Sequence, residues 1–414
     1  MSIYEDIVEY IKSGETTDKK LGLEIEHFVV DDEGKQITFD KVVSLIEEVA
    51  HGIGAKPLYT DGHVVGYVAD EYVVTLEPAC QFEISINPYE NIEDIERVYK
   101  DFRNLWDKVF EENGYHIETA GVLPAVEAGK IIPADIPLSK KHRYKYMDSY
   151  FKNSGKYGEY MMRASGSTQI SVDYSSEEDL RKKLRVLQII SPIVSIIFEN
   201  KTNPDYVLPD SDGKKHLIRI QEWEALDKER TGFLDNSLDD DFGYKHIAED
   251  VVNTPLILLT IHGETTYVGD KTAHILIDEN VVDYDNENAD VKKSYIEHFI
   301  SMGFYHFRIK KYIEIRTVDA LPIDVALGYA ALIKGIIYNE ASIDKLLERY
   351  KEIKTVEQIN EAFDIIEKDG LSANAYGSDV LSLAEELVNV ASEELDEKEK
   401  EYLKHVRDFW NKRK

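Results

Sequence analysis

Four stretches of this chain alternate apolar and polar residues with a period of two, and no other feature limits the possible folds as strongly. In Leu21–Val30, Leu21, Leu23 and Ile25 oppose Glu24 and Glu26. In residues 81–87, Phe82, Ile84 and Ile86 oppose Gln81, Glu83 and Ser85. In residues 169–174, Ile170 and Val172 oppose Gln169, Ser171 and Asp173. Residues 307–318 read as one strand, with Ile309, Ile313 and Ile315 opposing Arg308, Lys310, Tyr312, Glu314 and Arg316. A strand shows alternate side chains to opposite faces. If the four share a sheet, one side is apolar and packs helices. The other gathers Glu24, Glu26, Glu83, Gln169 and Glu314 beside several cations. Carboxylate oxygens on a rigid floor suit Mg²⁺, and arginines beside them suit a transferring phosphoryl group. With 80 acidic residues in the chain, each strand alone reads equally as an ordinary half-exposed one. Periodicity does not decide whether the four faces converge.

Further strands are expected at 73–76, 256–261 and 274–277. Helical spacing appears at Ile7, Tyr10 and Ile11, at Val42 to Val49, and over 92–113 up to Gly114. Ser176 and Asp179 predict a capping box for a helix running to about Asn200 and bent by Pro192. Residues 322–339 predict a buried helix. Residues 342–414 read as nearly all helix, broken near Gly370 and Gly377, forming a solvated bundle beside the core. Strands and helices without regular alternation predict an α+β fold. Its largely antiparallel, curved sheet forms a cradle, with helices on the apolar face. One catalytic unit over 1–414 is expected, a sheet core (1–340) carrying a helical C-terminal extension (341–414).

Hydrophobic residues make up 43% and charged residues 31% of the 414, enough for a substantial core and against global disorder. A net charge of −31 repels phosphate backbones and anionic membranes, so neither is an expected partner. An ATP enzyme with this charge needs divalent cations or a few well-placed arginines. Cys80 is the single cysteine, so there is no internal disulfide and no thiolate metal cluster. No run approaches about 18 apolar residues and residues 1–20 lack a signal-like apolar stretch, so the cytoplasm is the expected compartment. There is no phosphate-binding glycine loop, no H-E-x-x-H, no nucleophile elbow at Gly166-Ser167, and no third glycine after Gly52-Ile53-Gly54. Loops 203–215 and 235–241 are candidate lids.

The same strands carry a resemblance. LGLEIEHF at 21–28, LEPACQFEISINP at 76–88, YMMRASGSTQISVDYSSEEDLRKK at 160–183, EWEALDKERTGF at 222–233 and FRIKKYIEIRTVDALP at 307–322 resemble glutamate–cysteine ligase of the plant and proteobacterial type. That family belongs to the glutamine-synthetase-like carboxylate–amine ligases. The segments keep the family's order and span about three quarters of the chain. The resemblance implies ATP-dependent joining of the glutamate γ-carboxylate to the amine of cysteine through a γ-glutamyl phosphate, with two or three Mg²⁺. It implies Glu24, Glu26, Glu83 and Glu314 as metal ligands and Arg316 and Arg230 as catalytic. Arg230, Arg163, Met162, Ser171 and Trp223 would bind substrate. Gln169, Arg308, Lys310, Tyr312 and Arg316 would bind ATP. Its partners would be glutamate, cysteine or another amine, and ATP, with the chain a monomer or weak homodimer.

The chain departs from the family where a glycine pair becomes Ala79-Cys80 and a Gln-Val-Asn becomes Gln-Ile-Ser at 169–171. A Gly-Ala-Asp becomes Thr317-Val318-Asp319, and the Gly-Gly-Pro after it becomes Ala320-Leu321-Pro322. These changes bear on the substrate walls more than on the chemistry. They leave open a different acceptor amine or carboxylate, and a non-catalytic binder on the same fold.

Overall fold

A computed structural model describes residues 2–261 and 264–413. The first half runs α1 (Ile3–Lys12), β1 (Leu21–Val30), α2 (Phe39–Ile53), β2 (Lys56–Thr60), β3 (His63–Val68), β4 (Tyr72–Leu76), β5 (Phe82–Tyr89), α3 (Ile92–Glu112) and β6 (His116–Glu118). Then come α4 (Pro124–Glu127), α5 (His142–Ser154), α6 (Gly158–Ala164), β7 (Ser167–Val172), α7 (Glu177–Ile197), α8 (Ile218–Glu224) and β8 (Thr231–Gly232). Next are α9 (Tyr244–Asn253), β9 (Pro255–Ile261), β10 (Glu264–Thr272), α10 (Ala273–Asp278), α11 (Ala289–Ser301), β11 (Phe304–Tyr305), β12 (Phe307–Ile309) and β13 (Ile313–Asp319). The chain closes with α12 (Ile323–Ile337), α13 (Glu340–Arg349), α14 (Val356–Asp369), β14 (Asn374–Ala375), β15 (Ser378–Asp379), α15 (Val380–Ser392) and α16 (Glu397–Asn411).

The fold is α+β around a nine-stranded sheet ordered β12-β13-β7-β1-β5-β4-β3-β2, with β6 also on β1. Every pair in it is antiparallel. The four patterned segments are therefore neighbours. Leu23, Ile25, Ile84, Ile86, Ile170 and Ile315 lie on one face, all buried. Helices α3, α7 and α12 cover that face, and burying such side chains is worth about 1.5–3 kcal/mol each. The opposite face is left open for chemistry.

Several local expectations need correction. Residues 307–318 are not one strand but a hairpin, β12 turning at residues 310–312 into β13, with Arg308 directly opposite Glu314. The polar parity survives because the three-residue turn keeps even numbers on one side. Residues 274–277 are helical, since the Thr272 hydroxyl accepts the Ile275 amide and caps α10. Ser176 caps α7 by accepting the Asp179 amide. The Asp179 carboxylate, however, takes the amide and hydroxyl of Ser175 instead of closing a capping box. Pro192 is accommodated within α7. Cys80 lies in the turn between β4 and β5 at φ 65, not in a strand. That left-handed geometry is one glycine adopts more readily than cysteine. Strands β2, β3 and β10 lack a clean alternation, which is broken by Pro57 and Gly66 in the first two and by Gly269 in the third.

The C-terminal helices are more than a solvated flank. Helix α12 is enclosed by α3, α15 and α16, and Leu387, Leu403, Val406 and Trp410 are buried. A Cβ on Gly335 would stand 2.4 Å from the Ala391 carbonyl, so glycine permits the α12–α15 approach. Among the described residues, no helix is long and apolar enough to cross a membrane.

Candidate active site

The open face of the sheet floors a cavity of about 310 Å³. Register decides which polar groups meet there. Glu24 pairs with Gln169 on one side and Ser85 on the other, and Glu26 with Glu83. Glu24, Glu26, Glu83, Gln169, Arg308, Lys310, Glu314, Arg316 and Trp223 all line the cavity. The roof comes from Arg143, Tyr144 and Met147 of α5, Met161 of α6, Arg219 and Trp223 of α8, and Phe304 of β11.

The charges are sorted. Glu314 is 1% exposed and surrounded by cations. Its Oε2 accepts from Arg308 Nε at 2.6 Å and from Arg316 Nη1 at 3.3 Å, and its Oε1 from Lys310 Nζ at 2.8 Å. Burial would raise its carboxyl, but Arg308, Lys310 and Arg316 outweigh burial and hold it well below the usual range. Arg316 also donates to Gln169 Oε1 at 2.6 Å, and its guanidinium lies 6.0 Å from the Trp223 ring centre.

The other carboxylates behave oppositely. Burial, then repulsion from Glu77, Glu24 and Glu26, raises Glu83 well above the ordinary range. Burial and Glu77 raise Glu26 to about 7, against Arg219 and a 2.7 Å hydrogen bond from the Ser167 amide. Burial and the Glu314 charge raise Glu24, with Lys310, Arg308 and Arg316 pulling it back. Among the described residues, Glu24, Glu26, Glu77 and Glu83 have no ion-pair partner, whereas Glu314 has three.

No group of three or more His, Cys, Asp or Glu side chains is gathered tightly enough to hold a metal among the described residues. The donor chemistry nonetheless fits a hard divalent cation: buried oxygens that repel one another and lack a positive partner. Glu314 does not share that state, since both its oxygens are engaged by cations.

Five expected site residues stand elsewhere. Arg230 is fully buried away from the cavity. Its Nε donates to Asp227 at 2.7 Å, Nη1 to the Pro255 carbonyl, and Nη2 to the Tyr150 hydroxyl at 3.2 Å. Those bonds anchor the segment after α8, and Arg230 is not among the residues that line the cavity. Arg163 is likewise turned aside, pairing with Asp148 at 2.6 Å and donating to the Ile136 carbonyl. Met162 is core, and its neighbour Met161 faces the cavity instead. Ser171 lies beside Glu314 in the sheet, beyond the lining. Tyr312 sits in the hairpin turn, where its hydroxyl accepts from Lys310 Nζ at 3.4 Å. Neither candidate lid loop lines the cavity. Lys214 ties one to Asp364 and Glu367 on α14, and Arg185 and Gln188 of α7 hold the other.

Sequence reasoning missed Glu77, Arg143, Tyr144 and Arg219. Glu77 lies in the segment LEPACQFEISINP, directly before Pro78 and close in sequence to Glu83. Arg143 and Tyr144 sit on α5, whose apolar spacing is weak, and Arg219 sits on the short helix α8. Arg219 is buried, its Nη2 donating to the Arg316 carbonyl at 2.8 Å, with no acceptor for Nη1 among the described residues. Burial pushes the Cys80 thiol up to about 12, which disfavours the thiolate.

Comparison with known proteins completes the picture. The chloroplastic glutamate–cysteine ligase of Medicago truncatula is 25% identical over 400 residues, covering 95% of this chain and 75% of that protein. The chloroplastic glutamate–cysteine ligase B of Oryza sativa subsp. japonica is 25% identical over 403 residues, covering 95% and 77%. A crystal structure of the glutamate–cysteine ligase of Francisella tularensis in complex with AMP shares the fold at a TM-score of 0.51 and 12% identity, covering 96% of this chain and 82% of that one. The model of glutamate–cysteine ligase family 2 matches residues 20–412. With that match over nearly its whole length, on a sheet whose polar face is the cavity floor, the chain belongs to glutamate–cysteine ligase family 2.

Proposed function

We propose that this enzyme joins the γ-carboxylate of L-glutamate to the amine of L-cysteine at the expense of ATP, giving γ-glutamylcysteine, ADP and phosphate. The observation that carries the reading is the division of one cavity into a cationic corner at the β12–β13 hairpin (Arg308, Lys310, Arg316) and a carboxylate wall of Glu24 and Glu26 on β1, Glu83 on β5 and Glu77 in the turn before it, with β7 between the two.

In the first step a γ-carboxylate oxygen attacks the γ-phosphorus of ATP, and the β–γ bridging oxygen leaves with ADP. This transfer asks for placement and charge neutralisation more than covalent help. Arg316, braced by Gln169 and Glu314, stabilises charge on the transferring group. Arg308 and Lys310 face the rest of the triphosphate. In the second step the acceptor nitrogen attacks the acyl carbon of γ-glutamyl phosphate, phosphate leaves, and the nitrogen loses its proton. Water must be kept out or the acyl phosphate hydrolyses, and Met147, Met161, Trp223 and Phe304 supply an apolar roof for that. Glu24, Glu26 and Glu83 would hold Mg²⁺, and the metal would supply charge neutralisation of phosphate oxygens.

The test is Mg²⁺-dependent ADP release with glutamate and a panel of amines, with product masses. Release requiring both glutamate and cysteine supports the reading. Release with another amine keeps the chemistry and changes the acceptor. ATP binding without release under any pair overturns it.

A further inference from the structure

Two cavity arginines, Arg219 on α8 and Arg316 on β13, come from elements far apart in sequence. They touch through one hydrogen bond, Arg219 Nη2 to the Arg316 carbonyl at 2.8 Å. Helix α8 has seven residues and no side-chain cap. It starts from Leu217, whose φ of 54 and ψ of 44 are values that L side chains rarely adopt. Something outside the helix must hold that start.

Glu199, just past the end of α7, does so. It is 6% exposed. Its Oε1 accepts the Leu217 amide at 2.7 Å, and its Oε2 lies 3.1 Å from His216 Nδ1. Arg413 Nη1 approaches Oε2 at 3.7 Å from the C-terminus. The His216 ring is pressed from its far side by Gly370, where φ is +58 and a Cβ would stand 2.4 Å from Nε2. The next residue grips the other element. The Asn200 amide donates to Asp319 Oδ2 at 2.8 Å, and its side chain donates to the Ala320 carbonyl at 2.7 Å, at the end of β13.

We infer that Glu199, together with Asn200, is a positioning residue: the pair clamps the start of α8 to the end of β13 and sets the spacing of Arg219 and Arg316 across the cavity. This inference rests on the ligase reading for its kinetic consequence. A displacement near 1 Å at a reacting centre costs up to about 100-fold in rate.

The experiment compares wild type, Glu199→Ala, Glu199→Gln, Arg219→Ala and the Glu199→Ala/Arg219→Ala double variant in kcat/KM for ADP release. Hydrogen exchange of full-length protein is followed in parallel. Glu199→Ala should lose about tenfold or more. Glu199→Gln should recover most of that, because its amide oxygen still accepts the Leu217 amide and a neutral imidazole can present its other tautomer. In the Arg219→Ala background, Glu199→Ala should cost nothing further. An equal loss in both backgrounds, or wild-type kcat/KM in Glu199→Ala, overturns the clamp. If Glu199→Ala does not fold, Glu199→Asp, one carbon shorter, takes its place with the same criteria. An inactive wild type would instead sink the ligase reading, and the clamp is then judged by exchange alone. Faster exchange confined to residues 217–223 supports it, and unchanged exchange there overturns it.

Discussion

Replacing Glu26 by Gln should stabilise the ligand-free protein while abolishing most of its activity. Glu26 has a carboxyl raised from an ordinary 4.5 to about 7, first by burial and then by Glu77. Between those two values the folded chain binds a proton that the unfolded chain has released, so stability falls as pH rises across that window. At 1.36 kcal/mol per pH unit the full span is about 3 kcal/mol. The side chain keeps some contact with cavity water, which screens it, so about 2 kcal/mol is the working figure. A Gln side chain keeps an oxygen for the Ser167 amide, which now bonds Glu26 at 2.7 Å, and places a neutral donor toward Glu77. Unfolding entropy for a chain of this length is about 0.9 kcal/mol/K, so the gain corresponds to roughly 2 °C in Tm. Calorimetry without divalent ions should show wild type and Glu26→Gln melting together near pH 4.5 and separating progressively up to pH 8, with the variant higher. ADP release should fall in the same variant. A Tm gap independent of pH, or a wild type more stable at pH 8, would refute the electrostatic account of the carboxylate wall.

Glu314→Gln should act in the opposite direction. Removing the carboxylate leaves three half-buried cations without their shared partner and costs about 3 kcal/mol. Because the folded carboxyl lies well below its ordinary value, its contribution is present above about pH 4.5 and is lost as pH falls through the folded value, so melting curves of wild type and variant should converge in acid. Arg316→Ala should slow ADP release by about 10²–10³ with ATP binding retained, and wild-type turnover would defeat its assignment to the transferring phosphoryl group. Gly370→Ala should destabilise by more than about 1 kcal/mol in urea unfolding, since it combines a positive φ with a Cβ 2.4 Å from His216. An unchanged midpoint would show that the His216 packing is not tight.

Much of this molecule was readable from residue order alone. Alternation of Leu23 and Ile25 with Glu24 and Glu26, and of Ile84 with Glu83, determined that there would be strands with one apolar and one ionisable face, because side-chain direction along a strand is a local property with a period of two. The long helix α3 followed from spacing, α7 from the cap at Ser176 and α12 from a strongly apolar run, all local properties of the chain. Arg230 and Arg163 illustrate the limit: a motif gives a residue its neighbours in sequence but not the direction of a long flexible side chain, and Asp227 and Asp148 claimed these two. The hairpin at 310–312 was hidden because a three-residue turn preserves parity. Arg143 and Arg219 were hidden because α5 and α8 owe their place to packing rather than to a clear periodicity of their own. Tertiary structure alone decided that Glu26 lies opposite Glu83 and Glu24 opposite Gln169. It also decided that Glu314 is neutralised by three cations while its neighbours are left uncompensated. Register and burial set the charge state of a carboxylate, and for Glu24, Glu26 and Glu83 both depend on strand pairings between segments distant in sequence.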